Sequence, residues 1–185
     1  MNNKKLKIFN YIIFGICIIS AIYFIIKKDY AGVGLSILSL IIGIISYIIH
    51  KKKPHLIDTS LYIVVNLFIL SSFVLGSSYK LYDKVKFYDD FLHFWSGFIG
   101  VKIAWNLLNN TDITPKEHRI IFFVTIFMFA MGISAICEIV EYLLDTYLKM
   151  ETQSGGLKDT MQDMIDAFLG GTIMIVYYYN KLKNT

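Results

Sequence analysis

Cysteine, proline and tryptophan are scarce in this chain of 185 residues, each occurring twice. Cys17 and Cys137 lie far apart in apolar stretches, so the sequence offers neither a disulfide framework nor a cysteine-based zinc site, and we expect both to be packing residues. The two prolines, Pro54 and Pro115, fall in polar connectors. Because no proline interrupts the apolar runs between them, those runs are expected to be unbroken helices.

Charged residues are also few, at 17% of the chain, whereas 56% of the residues are hydrophobic and the mean hydropathy is +0.56. The charges lie in short clusters between long apolar runs. This pattern excludes a soluble globular domain and is typical of a polytopic membrane protein. The net charge of +4 comes largely from connector lysines, so it bears on membrane orientation and gives no indication of nucleic-acid binding.

Six apolar runs are long enough to cross a hydrocarbon core of about 30 Å, which requires roughly 20 helical residues. They cover residues 8–26, 30–50, 59–77, 91–108, 119–145 and 160–180. We therefore predict an all-α protein with six transmembrane helices in the lipid bilayer. The first run is too long for a signal-peptide core and lacks a small-x-small cleavage site, so we expect a retained span. We predict one integrated domain with an apolar scaffold half at 1–77 and a second half at 78–185.

Basic residues indicate how the chain is oriented. With six spans both termini share one side, and that side carries ten lysine and arginine residues against seven on the other. Because basic residues concentrate in cytoplasmic loops, the tally predicts cytoplasmic N and C termini. The triple lysine at 51–53 contributes most to this tally.

Acidic residues are absent from the first three runs and concentrated in the second half of the chain. Under the predicted topology, eight of the fourteen lie on or near the outer side of the last three helices: Asp89, Asp90, Glu138, Glu141, Asp145, Asp159, Asp163 and Asp166. A charge in a membrane span costs roughly 2.5–3.5 kcal/mol near its centre. Such a concentration therefore requires a partner or a function.

Helical periodicity places these acids on faces that continue as small residues. The faces are Asp89, His93, Gly97 and Gly100; Ala130, Ser134, Glu138 and Glu141; and Asp159, Asp163, Asp166 or Ala167, and Gly170. Because small residues let transmembrane helices approach closely, we expect the acids to converge in the outer half of a three-helix seam.

Ordinary structural roles compete with a functional one. Asp89 and Asp90 precede a helix, and Asp159 or Thr160 begins a stretch with capping-box spacing, so helix capping would account for them. His93 alone would be a packing histidine, but a carboxylate one turn away can orient its ring for metal binding or proton transfer.

Glu138 and Glu141 resist a capping interpretation. They approach a helix C-terminus, where the helix dipole disfavours anions, so they need a proton, hydrogen bonds or a cation. Carboxylates one turn apart on facing helices, joined by a histidine, are how helical bundles hold metal ions. The predicted metal ligands are Asp89, His93, Glu138, Glu141, Asp159 and Asp163, and Glu138, Glu141 and His93 are the predicted catalytic residues. An oxygen-rich set with one imidazole favours Mg²⁺, Mn²⁺ or Ca²⁺ over Zn²⁺.

The second half of the chain resembles the YjdF-like family of bacterial inner-membrane proteins and, more distantly, VanZ-like proteins. The motifs are Tyr88-Asp89 with His93-Phe94 and Gly97, Glu138 with Glu141, and Asp159-Thr160 with Asp163-Met164 and Gly170. The resemblance implies a small multispanning protein of the bacterial cytoplasmic membrane and transfers no established activity. VanZ-like relatives are linked to reduced glycopeptide susceptibility. Lys158 departs from the family pattern, in which an aromatic residue is typical.

Three functions are compatible with these features. The first is a metal-dependent hydrolase or transferase acting on a lipid-linked or envelope substrate, in which Glu138 or Glu141 activates water. The second is a proton- or cation-coupled carrier with the acids as an ion relay. The third is a non-catalytic envelope or antibiotic-tolerance protein in which a cation only holds the helices together.

Overall fold

The computed structural model describes residues 3–109, 111, 118–149, 152–153 and 156–183. Within these ranges the regular elements are all helices and no strand occurs, which confirms the all-α fold class. The helices are α1 (Asn3–Lys27), α2 (Tyr30–Lys52), α3 (Thr59–Ile69), α4 (Leu81–Lys84), α5 (Tyr88–Leu108), α6 (Arg119–Leu143) and α7 (Leu157–Lys183). The predicted connector position of Pro115 lies outside the described residues.

Two helices continue into π-helical turns that the sequence analysis did not anticipate. α3 runs on through Leu70–Ser78, and α6 runs on through Leu144–Leu148. A π-helical turn widens the helix and often accompanies a functional site. The second of these turns directly follows the segment that contains Glu138 and Glu141.

Four helical stretches of the described chain are long and apolar enough to cross a membrane, judged by length and composition: Lys4–Lys27, Tyr30–Lys52, Thr59–Ser78 and Arg119–Tyr147. They make the protein a membrane protein. Helices α5 and α7 are also long, at 21 and 27 residues, but neither is among these four stretches. Together α5 and α7 carry five of the eight outer acids: Asp89, Asp90, Asp159, Asp163 and Asp166.

The chain divides into two compact units, Met1–Tyr88 and Asp89–Thr185. The first unit contains α1 to α4, and the second contains α5 from Asp89 onwards together with α6 and α7. The predicted subdivision at residue 77 within one integrated domain stays a prediction.

Helix α2 packs in the first unit through a face of small and hydroxyl residues. Its buried residues are Gly32, Ser36, Ser39, Gly43, Ser46 and His50. The Ser36 and Ser39 hydroxyls each donate to the carbonyl four residues earlier, at 2.8 Å. A Cβ atom at Gly43 would lie 2.8 Å from the Phe14 ring and 2.9 Å from Asn66 Oδ1, so the absence of a side chain there lets α1 and α3 approach α2.

A neutral polar network links the helices of the first unit. The Tyr62 hydroxyl donates to Asn10 Oδ1 at 2.8 Å. Asn66 Nδ2 donates to Ser46 Oγ at 3.0 Å and to the Tyr62 carbonyl at 2.8 Å. The His50 ring stacks on Tyr62 with 5.2 Å between the ring centroids. Asn66, the main polar residue of the first three runs, takes part in this network, and the scaffold role of these runs stays a prediction.

The small-residue stripes of the second unit meet as the sequence pattern predicts. The pairs are Gly97 with Ala167, Gly170 with Phe94, and Gly100 with Ala130. A Cβ atom at Gly97 or Gly170 would collide with a backbone carbonyl of the facing helix. These contacts bring α5 against both α6 and α7, and they determine how closely the acids one or two turns away can approach each other.

An aromatic cluster fills the seam on the other side of these glycines. The Trp105 and Tyr178 rings stack with centroids 4.1 Å apart, and Phe122 packs edge-on against Trp105 at 5.5 Å. Phe122 is fully buried. One end of the three-helix seam is therefore acidic, and the other is apolar and tightly packed.

Two expectations about individual residues are wrong. Cys17 is buried as expected, but Cys137 is exposed, because it lies on the face of α6 that points away from the seam. Helix α7 begins at Leu157, so Asp159 and Thr160 lie inside its first turns and neither is the N-cap residue. Asp159 is therefore not an N-cap, although its charge in the first turn suits the helix dipole as that of Asp90 does in α5.

Candidate functional site

The predicted site residues lie on three helices of the second unit. Asp89 and His93 are on α5, Glu138 and Glu141 on α6, and Asp159 and Asp163 on α7. Each pair is separated by three or four residues, so its two side chains lie on one helical face. The glycine contacts between the helices bring the three faces together.

His93 occupies the centre of the cluster. Its Nε2 atom lies 3.4 Å from Asp89 Oδ1 and 3.9 Å from Asp163 Oδ1, and its Nδ1 atom lies 3.6 Å from Glu138 Oε1. The His93 side chain is 14% exposed. One imidazole therefore faces carboxylates from all three helices, at separations longer than an ordinary hydrogen bond of 2.7–3.2 Å.

Buried carboxylate oxygens surround this ring. Glu138 and Asp163 are only 4% and 2% exposed. Among the residues that the structure describes, four carboxylate oxygens are buried and have no hydrogen-bond partner: Glu138 Oε1 and Oε2, Asp159 Oδ2 and Asp163 Oδ2. We call these four atoms the open carboxylate oxygens. Burying such groups in their ionised form costs free energy unless a proton donor or a cation compensates them.

The potential ligand atoms fall into two sets that share His93. Asp89, His93 and Asp163 form one, and His93, Glu138 and Glu141 form the other, with the atoms of each set lying within 4.8 Å of one another. Of the six predicted ligands, all within the described chain, Asp159 belongs to neither set. It lies one turn before Asp163 and contributes one open carboxylate oxygen.

Asp145, another acid of the outer group, has a structural role instead. Its Oδ1 accepts hydrogen bonds from the Thr152 backbone N–H and hydroxyl, both at 2.6 Å, and its Oδ2 accepts one from the Gln153 N–H at 2.8 Å. The Gln153 side chain in turn donates to Thr160 Oγ1 at 2.7 Å. Asp145 therefore connects the end of α6 to residues 152–153, which contact α7.

Asp166 also has a partner within its own helix. Its Oδ2 accepts a hydrogen bond from Gln162 Nε2 at 3.0 Å. Asp90 lies in the first turn of α5, where its charge suits the helix dipole. The positions of Asp90, Asp145 and Asp166 are therefore explained by contacts within the protein, without a bound ligand.

Ser134 is a residue whose importance the sequence analysis missed. Its hydroxyl oxygen is buried and, within the described part of the chain, lacks a hydrogen-bond partner. Ser134 lies one turn before Glu138 on the same face of α6, and the residue is 4% exposed. A serine in a helix ordinarily bonds to the preceding turn, so its position one turn from a buried acid was the available signal.

This arrangement is suited to holding a positive charge. Carboxylate oxygens and one imidazole nitrogen are the ligands that helical bundles present to divalent cations. The same groups can accept and donate protons during a reaction at a bound ion. Both capabilities depend on His93, which all three helices face.

The comparisons with known proteins agree with the membrane character of the chain. A family model described as "Predicted membrane protein (DUF2238)" matches residues 8–184. No curated protein and no solved structure matches the chain. Since the match covers nearly the whole sequence, the chain belongs to this family of predicted membrane proteins.

Proposed function

We propose that this member of the DUF2238 family binds a divalent cation at the His93 cluster and uses it to hydrolyse or transfer a group on a lipid-linked or envelope substrate. The observation that carries the proposal is the set of open carboxylate oxygens on Glu138, Asp159 and Asp163. Two of these residues, Glu138 and Asp163, also face the buried His93 imidazole. A bound cation would compensate their negative charge, whichever of them bind it directly.

The membrane increases the need for a cation that compensates these carboxylates. A charge at the centre of a span costs roughly 2.5–3.5 kcal/mol, and ionisable residues in spans usually pair with one another or mark a functional path. Glu138 is inside a stretch that is apolar enough to span the bilayer. An oxygen-rich ligand set supports Mg²⁺, Mn²⁺ or Ca²⁺ as the ion, ahead of Zn²⁺.

The proposal includes six spans with both termini in the cytoplasm of a bacterium. At a rise of about 1.5 Å per residue, the 21 residues of α5 and the 27 of α7 reach across the bilayer core despite their polar residues. The basic-residue tally supports cytoplasmic termini. In that orientation the acidic end of the seam faces the outer leaflet. The YjdF-like resemblance is consistent with the family, and the VanZ-like likeness suggests a substrate of the cell envelope.

The chemistry would be that of a single Lewis acid near the membrane surface. A bound cation polarises a phosphoryl or acyl oxygen and lowers the pKa of a bound water. Glu138 or Glu141 would then accept the proton of the attacking water. The Asp89 side chain, which is 35% exposed, is on the side from which water and a substrate headgroup can enter.

Metal analysis of the purified, untagged protein tests this proposal. We expect about one divalent ion per chain after dialysis against Mn²⁺. We expect its loss in His93→Gln, because His93 belongs to both ligand sets. Asp166→Asn is the matched control, since it changes an acid of α7 that bonds to Gln162, and it should retain the ion. Unloaded wild-type protein, or a fully loaded His93→Gln variant, would contradict the proposal.

A purely structural cation is the second candidate, and the tight packing of the three helices favours it. An ion shared by α5, α6 and α7 would hold together a seam that already has backbone contacts at Gly97 and Gly170. In that case chelation should lower the melting temperature without altering lipid turnover in membranes. The carrier hypothesis has less support, because Trp105, Phe122 and Tyr178 fill the other end of the seam.

A further inference from the structure

We propose that His93 divides the cluster into two parts with different roles: the cation binds at the Nε2 edge with Asp89 and Asp163, whereas Glu138 holds the Nδ1–H and positions the ring. This inference rests on the proposed function, since it assigns roles within the same site. It also reduces the six predicted ligands to a smaller set.

The two edges of the His93 ring differ in the number of carboxylate oxygens near them. Nε2 has two carboxylate oxygens near it, Asp89 Oδ1 at 3.4 Å and Asp163 Oδ1 at 3.9 Å, and they come from two helices. A single N–H can donate well to only one of them. A cation bonded to the Nε2 lone pair can bind both.

The separations at the Nε2 edge are suitable for ligands of one ion. Ligand atoms that bind at about 2.0–2.2 Å lie about 3 Å apart when they occupy neighbouring positions around the ion. The separations of 3.4 and 3.9 Å at the Nε2 edge are only slightly larger. Small side-chain movements of Asp89 and Asp163 would therefore complete the site without rearranging the helices.

The Nδ1 edge has the arrangement expected of a positioning group. Glu138 Oε1 lies 3.6 Å from Nδ1, and no second distance of this kind to Nδ1 occurs among the described ion pairs. Metal-binding histidines almost always donate their other ring N–H to a carboxylate or carbonyl, which determines the tautomer and the ring orientation. Glu138 supplies such an acceptor from α6.

Solvent access separates the two edges further. The Asp89 side chain is 35% exposed, whereas that of Glu138 is 5% exposed. A catalytic ion needs an open coordination position for water or substrate. The Nε2 edge offers that access through Asp89, and the Nδ1 edge is enclosed by protein.

The remaining polar groups near His93 then have separate roles. Glu141 belongs to the same ligand set as Glu138, is less buried, and remains available to accept a proton from a reacting water. Ser134 places a buried hydroxyl one turn before Glu138 on the same face of α6. Asp159, one turn before Asp163, adds negative charge beside the ion.

Nuclear magnetic resonance of the wild-type protein tests which nitrogen holds the ion. The probe is ¹¹³Cd²⁺ bound to detergent-solubilised protein that carries ¹⁵N-labelled histidine. We expect one-bond coupling between ¹¹³Cd and Nε2 of His93 and a protonated Nδ1, with the signal assigned by its loss in His93→Gln. Coupling to Nδ1 would overturn the inference while leaving the proposed function intact.

Matched amide variants provide a second test. Asp163→Asn removes a ligand charge, so we expect Mn²⁺ affinity to fall at least 100-fold. Glu138→Gln keeps an acceptor for the Nδ1–H, so we expect a fall of about 10-fold, with Glu138→Leu showing a larger loss of up to about 100-fold. Asp166→Asn should change the affinity less than 2-fold. Trp95 and Trp105 emission verifies that each variant is folded.

Three outcomes separate the two proposals. Equal losses in Glu138→Gln and Asp163→Asn would overturn the division of roles, because Glu138 would then act as a ligand. A larger loss in Glu138→Gln would place the ion at the Nδ1 edge and overturn it as well. Wild-type protein that binds neither Mn²⁺ nor Cd²⁺ would overturn the proposed function itself.

Discussion

The two units bury polar groups in opposite ways. In the first unit the buried groups are neutral, and Asn10, Ser46, Tyr62 and Asn66 bond to one another. The second unit buries the neutral Asn106 and Ser134 but also the carboxylates of Glu138 and Asp163, and Glu138, Asp159 and Asp163 contribute the open carboxylate oxygens. A neutral network is complete with the protein alone. The acidic cluster requires a proton or an ion from outside.

This difference has a physical basis in the cost of burial. A hydrogen bond between neutral groups contributes about 0.5–1.5 kcal/mol net, and removing one partner costs about 1–3 kcal/mol. A buried charge without a partner costs considerably more. The first unit is therefore expected to be stable without a bound ion. The free energy of unfolding of the second unit is expected to depend on the proposed cation.

Chelation should produce the largest difference between the units. If Mn²⁺ is present at 100 to 1,000 times its dissociation constant, its removal should destabilise the second unit by about 3–4 kcal/mol. Both tryptophans, Trp95 and Trp105, lie in this unit, so their emission during thermal unfolding reports on it.

Hydrogen exchange provides the control for the first unit. Amides of α1 and α2 should keep their protection when the ion is removed, because their buried groups bond to protein. Equal loss of protection in both units would show that the distinction is incorrect.

Asn66→Leu should destabilise the first unit and leave the cation site of the second unit unchanged. It leaves the Ser46 hydroxyl and the Tyr62 carbonyl without their Asn66 partner, so we expect a loss of about 2 kcal/mol. Mn²⁺ affinity, measured by isothermal titration, should remain within 2-fold of wild type. Ser46→Ala removes one bond of the same network and should cost less. A tenfold change in affinity would mean that the two kinds of polar cluster are coupled.

Asp145→Asn should have the smallest effect. The amide keeps one acceptor oxygen for residues 152–153, so we expect a loss of about 1 kcal/mol. Amide exchange at Thr152 and Gln153 should increase, and Mn²⁺ affinity should stay unchanged. Markedly weaker binding would instead include Asp145 in the site and narrow the contrast between structural and functional acids.

Much of the fold could be predicted from the sequence because the relevant signals are local. Long apolar runs separated by charged connectors indicate where helices lie, and each of the six runs falls within one helix or its π-helical continuation. The 3.6-residue period also groups Asp89 with His93 and Glu138 with Glu141. An acid in an apolar helix must avoid lipid, which indicates that such faces point inward.

Individual partners could not be predicted in the same way. Asp145 appeared to be one more outer acid, yet it bonds to Thr152 and Gln153, which no spacing rule anticipates. Cys137 was expected to pack and is exposed. The partners of Asp145 depend on the path of the connector after α6, and the exposure of Cys137 depends on the rotation of α6 about its axis. Neither is a local property of the sequence.

The sequence by itself determined that this is an all-helical membrane protein whose acids and one histidine share the faces of three helices. Tertiary structure alone decided that His93 directs Nε2 toward Asp89 and Asp163 and Nδ1 toward Glu138. The physical reason is that helical periodicity specifies which residues share a face. The distance and rotation between faces depend on packing, here on backbone contacts at Gly97 and Gly170.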